Sequence, residues 1–272
     1  MTTHKSPAAP PSLADGRASR RQKKPQTVGG RAWGFTRELL IVVIGAVVVS
    51  SLLRAFVGQM FIIPSQSMEN TLLVGDRVVV EKLTDFHRGD VVVFSDPGGW
   101  LQDEPADNPA PWDKLLEFIG LPTKSTPGHL IKRVIGMPGD KIVCCTSKGR
   151  ITVNGQALNE SSYLYTDHDG NQVNPSDVKF EVVVPKDRIF VMGDHRDLSA
   201  DSRCHLSDLS TNQGIGQAAF VPISLVVGPA FAIAAPLDRT SRLRRPSTFE
   251  KVPDPSGPPP SRAVIKPAGV SC

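Results

Sequence analysis

Residues 62–76 read Ile62-Ile63-Pro64-Ser65-Gln66-Ser67-Met68-Glu69-Asn70-Thr71-Leu72-Leu73-Val74-Gly75-Asp76. The serine-apolar pair Ser67-Met68 lies a few residues past a long apolar run. A second stretch, Leu130-Ile131-Lys132-Arg133-Val134-Ile135-Gly136-Met137-Pro138-Gly139-Asp140, carries a lysine between apolar residues. A serine hydroxyl is a weak nucleophile until an adjacent base activates it. In a strand, alternate residues share a face, so Lys132 shares one with Leu130 and Val134 while Arg133 points away. Desolvation on such a face disfavours the charged form of a lysine, which otherwise titrates near ~10.4. The two stretches together point to a Ser-Lys hydrolase working beside a membrane.

The membrane expectation rests on residues 37–57. From Leu39 to Leu53 every residue is apolar or small, and after Arg54 the run continues through Ala55-Phe56-Val57. About 20 residues of helix cross a bilayer core, and Arg54 can snorkel to the headgroups. No small-x-small cleavage site follows in Gly58-Gln59-Met60-Phe61, which argues against a removable signal peptide. Fifteen positions without a polar face argue against a core helix. Residues 1–37 carry eight Lys or Arg against the single acid Asp15. By the positive-inside bias, residues 1–36 form a cytoplasmic, basic, disordered segment, 37–57 a single transmembrane helix, and the chain from residue 58 lies outside the membrane.

Residues 58–236 carry mostly β signals. Arg77–Leu83, Asp90–Phe94, Lys141–Cys145, Arg150–Val153, Phe180–Val184 and Arg188–Met192 are short β-branched or apolar runs between turn residues. Asn154-Gly155 is a hairpin turn signal. The apolar run Val221–Ala235, broken by Pro222, Gly228 and Pro229, reads as a closing strand. The expected fold is mostly β, an antiparallel β-sheet catalytic domain after one N-terminal transmembrane helix. Residues 96–128 read as an irregular insertion with a short helix at Pro111–Ile119. Residues 237–272 read as a Pro-rich, basic, disordered tail.

Other chemistries find less support. The basic ends lack aromatic interleaving and any nucleic-acid fold motif, so no nucleic-acid partner is expected. Cys144 and Cys145 are adjacent and do not form a zinc-type C-x-x-C, so no metal is expected. A bridge from either to Cys204 and free thiols both stay open. There is no Gly-x-Ser-x-Gly elbow and no His-Glu-x-x-His. Of the histidines, only His195 lies in a cluster of interest, Gly193-Asp194-His195-Arg196-Asp197-Leu198-Ser199-Ala200-Asp201-Ser202-Arg203.

These segments, in this order, resemble the boxes of the bacterial type I signal peptidases (leader peptidases, peptidase family S26). Pro64–Leu72 resembles the nucleophile box and Gly89–Phe94 a second strand box. Lys132-Arg133 with Gly136–Asp140 resembles the lysine box, and Gly193–Arg203 the last. The resemblance implies a membrane-anchored serine endopeptidase that removes signal peptides from secretory preproteins after Ala-x-Ala sites, with no cofactor. It implies contact with membrane lipid and a secretion translocon near by. It makes Ser67 the nucleophile, Lys132 the general base and Ser65 an oxyanion-hole donor beside the Ser67 N–H. Ser199 would bond the Lys132 amine, Asp201 and Arg203 would pair, and Asp194 and Arg196 would brace the loop. Ile63, Met68, Leu72, Leu130 and Ile131 would line shallow substrate pockets. The chain departs from the pattern at Asn70, often Pro, at His195 and Leu198, often Asn, and at Cys204, commonly aromatic. Two other readings are a maturation protease of a pilus or conjugation system with the same Ser-Lys site, and a membrane-tethered, non-catalytic β module. The second predicts Ser67 and Lys132 out of hydrogen-bonding reach. A self-cleaving repressor, cytosolic and DNA-binding, is disfavoured by the anchor.

Overall fold

A computed structural model describes residues 28–56, 58–101, 128–210 and 214–266, with helix side chains described over 35–50. Helix α1 runs Val28–Phe56. It begins inside the stretch expected to be disordered, because once a helix is nucleated each further residue adds a hydrogen bond at little cost. The rest of that stretch, residues 1–27, lies outside the described residues. Leu39 through Ile44 are each more than half exposed. Among the described residues no helix is long and apolar enough to cross a membrane. Of the expected span 37–57, residue 57 and the side chains of 51–56 lie outside the described residues.

The strands are β1 Gly58–Ile62, β2 Arg77–Glu81, β3 Val91–Ser95, β4 His129–Gly136, β5 Lys141–Cys144, β6 Thr152–Val153, β7 Gln156–Ala157, β8 Phe180–Val183 and β9 Arg188–Met192. Then come β10 Leu209–Ser210, β11 Gly214–Ile215, β12 Val221–Pro222, β13 Val226–Ala235, β14 Ser241–Arg242 and β15 Val264–Lys266. The larger sheet has the order β1-β2-β13-β3-β4-β9-β12, with β14 also on β13. A second sheet has the order β15-β8-β5-β6-β7, and β10 and β11 form a hairpin. Neighbours run antiparallel throughout, as the alternating strand signals predict. The Asn154-Gly155 turn joins β6 to β7, both residues at positive φ.

Strand β13 closes the larger sheet between β2 and β3. Its register shifts at three places, and such bulges bend a strand and raise its twist. Gly228 lies so close to the Glu81 carbonyl that any Cβ there would collide with it. Strand β4 is central, between β3 and β9, and buried from Ile131 to Gly136.

One core cluster lies around β5, β8 and β9, with Ile142, Val182, Phe190 and Phe220. Another gathers Phe61, Ile63, Met68, Leu72, Val78, Val80 and Ile131. Full burial of each such side chain contributes about 1.5–3 kcal/mol.

Two expectations change. The tail from residue 237 is ordered as far as Lys266. Arg239 binds Asp76 through two hydrogen bonds of 2.8 and 2.9 Å. Ser241–Arg242 pairs with β13 and Val264–Lys266 with β8. Phe249 and Val252 are buried in the first core cluster. Proline keeps this stretch from forming any long element, and short strands with well-spaced single apolar residues hold it to the domain. In the second change, Cys144 is disulfide-bonded to Cys145, so neither bridges to Cys204. Of the expected insertion, residues 102–127, with the short helix at 111–119, lie outside the described residues. Trp100 at its start is buried and donates its indole N–H to the Ala218 carbonyl at 3.0 Å.

If the tail is part of the core, Phe249→Ala costs about 3–5 kcal/mol of stability. Urea unfolding of the variant against the parent checks this, and an unchanged midpoint would mean that the tail is a passive appendage.

Candidate active site

The nucleophile stretch forms a loop pinned at its neck. The Ile63 N–H donates to the Asp76 carbonyl and the Gly75 N–H to the Ile63 carbonyl, both at 2.9 Å. The Asp76 carboxylate takes the Leu73 N–H at 2.9 Å. Inside the loop, Ile63, Met68 and Leu72 are buried. Gln66–Met68 is a single 3₁₀ turn that presents Ser67. Asn70 follows at φ 81°. Asparagine visits that left-handed region and proline cannot, which accounts for the departure at this position.

Lys132 lies on β4, opposite Val92 of β3, and is 3% exposed. Its Nζ donates to Ser67 Oγ at 2.6 Å. Ser65 Oγ, on an exposed residue, is 3.3 Å from Ser67 Oγ. The Ser67 N–H has no acceptor among the described residues, as the first donors of a helical turn have none within it.

Burial pulls the Lys132 amine down to about 8, against the upward pull of Asp201 and Asp194. The surrounding charges make this intelligible. Arg133, Arg196 and Arg203 are buried with Asp194, Glu160 and Asp201, three cations against three anions. Each carboxylate already has its arginine. Arg133 Nε and Nη2 donate to the two oxygens of Asp194 at 2.8 and 2.6 Å. Arg196 Nη2 donates to Glu160 at 2.6 Å. Arg203 Nε and Nη2 bind Asp201 at 2.9 Å each. Burial pushes the Asp201 carboxyl up, but Arg203 outweighs it and holds the group below the usual range. Burial likewise works against the Arg196 charge, and Glu160 outweighs it. A protonated Lys132 would be a fourth cation without an anion of its own, so the neutral amine suits this surrounding.

The same bonds fix the loop after β9. The Gly193 N–H donates to Asp201 at 3.0 Å, Arg196 Nε to the Gly193 carbonyl at 2.8 Å, and Arg203 Nη2 to the Arg196 carbonyl at 2.6 Å. A Cβ at Gly193 would run into the Ser67 carbonyl and the Ser199 side chain. The glycine thus lets the loop lie against the nucleophile turn, and the His195 N–H reaches the Ser67 carbonyl at 3.1 Å.

The structure therefore brings Ser67, Lys132 and Ser65 together, and pairs Asp201 with Arg203. Asp194 and Arg196 lie in the expected loop but bind Arg133 and Glu160. Ser199 differs from expectation. Its Oγ is buried near Asp201 with no partner at hydrogen-bonding distance, so the expected bond to Lys132 is not made. Ile63, Leu130 and Ile131 line an apolar groove with Phe61, Ile62, Pro64, Val93 and His129. Met68 and Leu72 do not line it. They have no exposed surface, because the pinned loop turns them into the core beneath it.

Arg133, expected to point away from the apolar face of Lys132, is nonetheless one of the largest fully buried side chains. Besides Asp194 it reaches the Gly89 carbonyl at 2.6 Å and lies 4.4 Å over the Tyr163 ring. The apolar pairs Leu130-Ile131 and Val134-Ile135 hold the missed signal, since a strand apolar on both faces is covered on both. Glu160 and Tyr163, joined at 2.7 Å, carry no comparable signal.

The family model for signal peptidase, peptidase S26, matches residues 36–234. The chain belongs to this family. The family is one of serine endopeptidases, and the chain is an enzyme of that class. A signal peptidase I of Mycobacterium tuberculosis (strain H37Rv) is 36% identical over 228 residues, covering 76% of this chain and 75% of the relative. A probable signal peptidase I-2 of Synechocystis sp. is 30% identical over 234 residues, covering 85% and 86%. The crystal structure of a signal peptidase I from Enterococcus faecalis V583 aligns with 54% of this chain and 97% of its own, at 19% identity and a TM-score of 0.31.

The buried amine has a measurable effect on stability. Between pH 8 and pH 10.5 the unfolded lysine holds a proton that the folded one has released, so stability rises with pH across that window. Below pH 8 the folded state carries the full penalty, about 3 kcal/mol for an amine drawn down from its ordinary 10.5 to about 8. Lys132→Met is therefore expected to unfold at a higher temperature than the parent at pH 7, with the advantage shrinking toward pH 10. Melting curves at the two pH values test this, and a pH-independent difference would contradict the neutral buried amine.

Proposed function

We propose that the protein is a membrane-anchored signal peptidase that cleaves secretory preproteins after Ala-x-Ala sites, with Ser67 as nucleophile and Lys132 as general base. The 2.6 Å bond from the buried Lys132 amine to Ser67 Oγ carries the reading. That distance is within the reach a base needs, and it disfavours the non-catalytic module.

The neutral Lys132 Nζ takes the Ser67 hydroxyl proton as Oγ attacks the scissile carbonyl carbon. Charge develops on the carbonyl oxygen, where the Ser67 N–H and the Ser65 hydroxyl can donate. The resulting ammonium returns its proton to the leaving amine, and the acyl-enzyme forms. Water, deprotonated by the same amine, then releases the mature protein's partner fragment, the signal peptide, from Ser67. The mechanism calls on no cofactor. Removing one oxyanion donor typically costs about 10²–10³ in kcat.

The groove beside Ser67, with Ile63, Leu130 and Ile131 in its wall, suits small apolar side chains before the scissile bond. The apolar run 39–57 and the basic excess before it support a single-pass anchor in the cell membrane with the N-terminus cytoplasmic. The exposed apolar face of α1 fits lipid better than water. In this reading the partners are secretory preproteins, membrane lipid and a translocon that delivers the substrates.

The full chain in detergent is expected to release mature protein from a preprotein with an Ala-x-Ala site, and Ser67→Ala and Lys132→Ala to lose this. If Ser67→Ala cleaves as well as the parent, the assignment fails. In the parent, kcat/KM is expected to rise about tenfold per pH unit below pH 8 and to level off above it, because only the neutral amine accepts the proton. A profile flat from pH 6 to pH 9 would exclude Lys132 as the base.

A further inference from the structure

We infer that His195 is a positioning residue for the nucleophile, acting through Glu69. The inference rests on Ser67 being the nucleophile and adds what holds its turn. His195 grips that turn at two points. Its backbone N–H donates to the Ser67 carbonyl at 3.1 Å. Its ring Nδ1 is 3.1 Å from Glu69 Oε2, and Glu69 closes the 3₁₀ turn whose middle residue is Ser67. A carboxylate oxygen accepts hydrogen bonds, and the contact is made when Nδ1 donates to it. The other nitrogen, Nε2, faces Asp197 Oδ1 at 3.4 Å.

The ring has little freedom to do anything else. It stacks on Tyr165, with centroids 3.7 Å apart and planes at 21°, and His195 is 4% exposed. Tyr165 is itself fixed, its N–H donating to the Asp194 carbonyl at 3.2 Å and its carbonyl accepting from the Val173 N–H at 3.0 Å. The imidazole has no contact with Ser67 Oγ, which Lys132 takes, so it is not a rival base. Without the ring, the turn would keep its backbone bond and lose the brace two residues beyond the nucleophile. Small errors in the position of a reacting atom are costly. The effect therefore falls on the chemical step and leaves the apolar groove, which neither His195 nor Glu69 lines, as it was.

The test uses the full chain in detergent and compares His195→Ala, Glu69→Ala, the double variant and His195→Asn. Each single alanine variant is expected to lower kcat about tenfold with KM within twofold. The double variant should lose no more than either single one, as coupled residues do. His195→Asn should recover most of the loss, because its side-chain amide nitrogen stands near the place of Nδ1. Hydrogen exchange of the peptide covering residues 66–72 should rise by a similar factor in both single variants, with melting temperatures close to the parent's. Additive losses in kcat, a loss confined to KM, or unchanged exchange in that peptide would overturn the inference. If His195→Ala does not fold, Glu69→Ala and His195→Asn carry the same comparison. If the parent itself cleaves no preprotein, the proposed function fails, and the exchange measurement still decides whether the brace exists.

Discussion

A lysine amine titrates near neutral pH only if its charged form is made costly, and the domain around Lys132 makes it so. Burial alone would draw in an anion to compensate. Here the nearby carboxylates are already committed, Asp194 to Arg133 and Asp201 to Arg203. The cluster is balanced before the lysine is counted. Isolated buried charges are expensive, and buried pairs are tolerable only when fully hydrogen-bonded. That explains why so many backbone carbonyls turn inward here, Gly89, Gly193 and Arg196 among them.

The Arg133–Asp194 pair also ties distant stretches together. Arg133 sits beside Lys132 on β4, Asp194 follows β9, and Thr71, four residues after Ser67, donates its hydroxyl to Asp194 at 2.5 Å. One buried contact thus joins the segments of nucleophile, base and supporting loop. The geometry around Ser67 and Lys132 is fixed by a hydrogen-bonded hub a few residues away.

Sequence reading found what local pattern encodes. Ser67 and Lys132 stood out together, as a serine just past an apolar run and a lysine among strand-forming apolar residues, each ordinary alone. The short β-branched runs located the strands for the same local reason. Partners at long range were less legible. That Arg133 faces inward depends on Tyr163 and Asp194, distant in sequence, packing over its side of β4. That Met68 and Leu72 serve the core depends on how Asp76 closes the loop. The tail misled because its proline content is read as disorder, while its attachment comes from residues far apart in sequence, such as Phe249 against Tyr163. The adjacent cysteines gave no clue to their pairing, since a spacing of one residue fits no familiar framework.

Strand β13 has a further consequence. The ladder carrying Ser67's loop, β1 with β2, and the ladder carrying Lys132, β3 with β4, are neighbours in sequence but not in the sheet. Residues 226–235 stand between them. Local hairpins form early and pairings across long sequence separations form late. During synthesis, then, the two ladders can each exist before the strand that joins them has arrived. The pairing that sets the Ser67 loop beside the Lys132 strand is therefore a late event in folding.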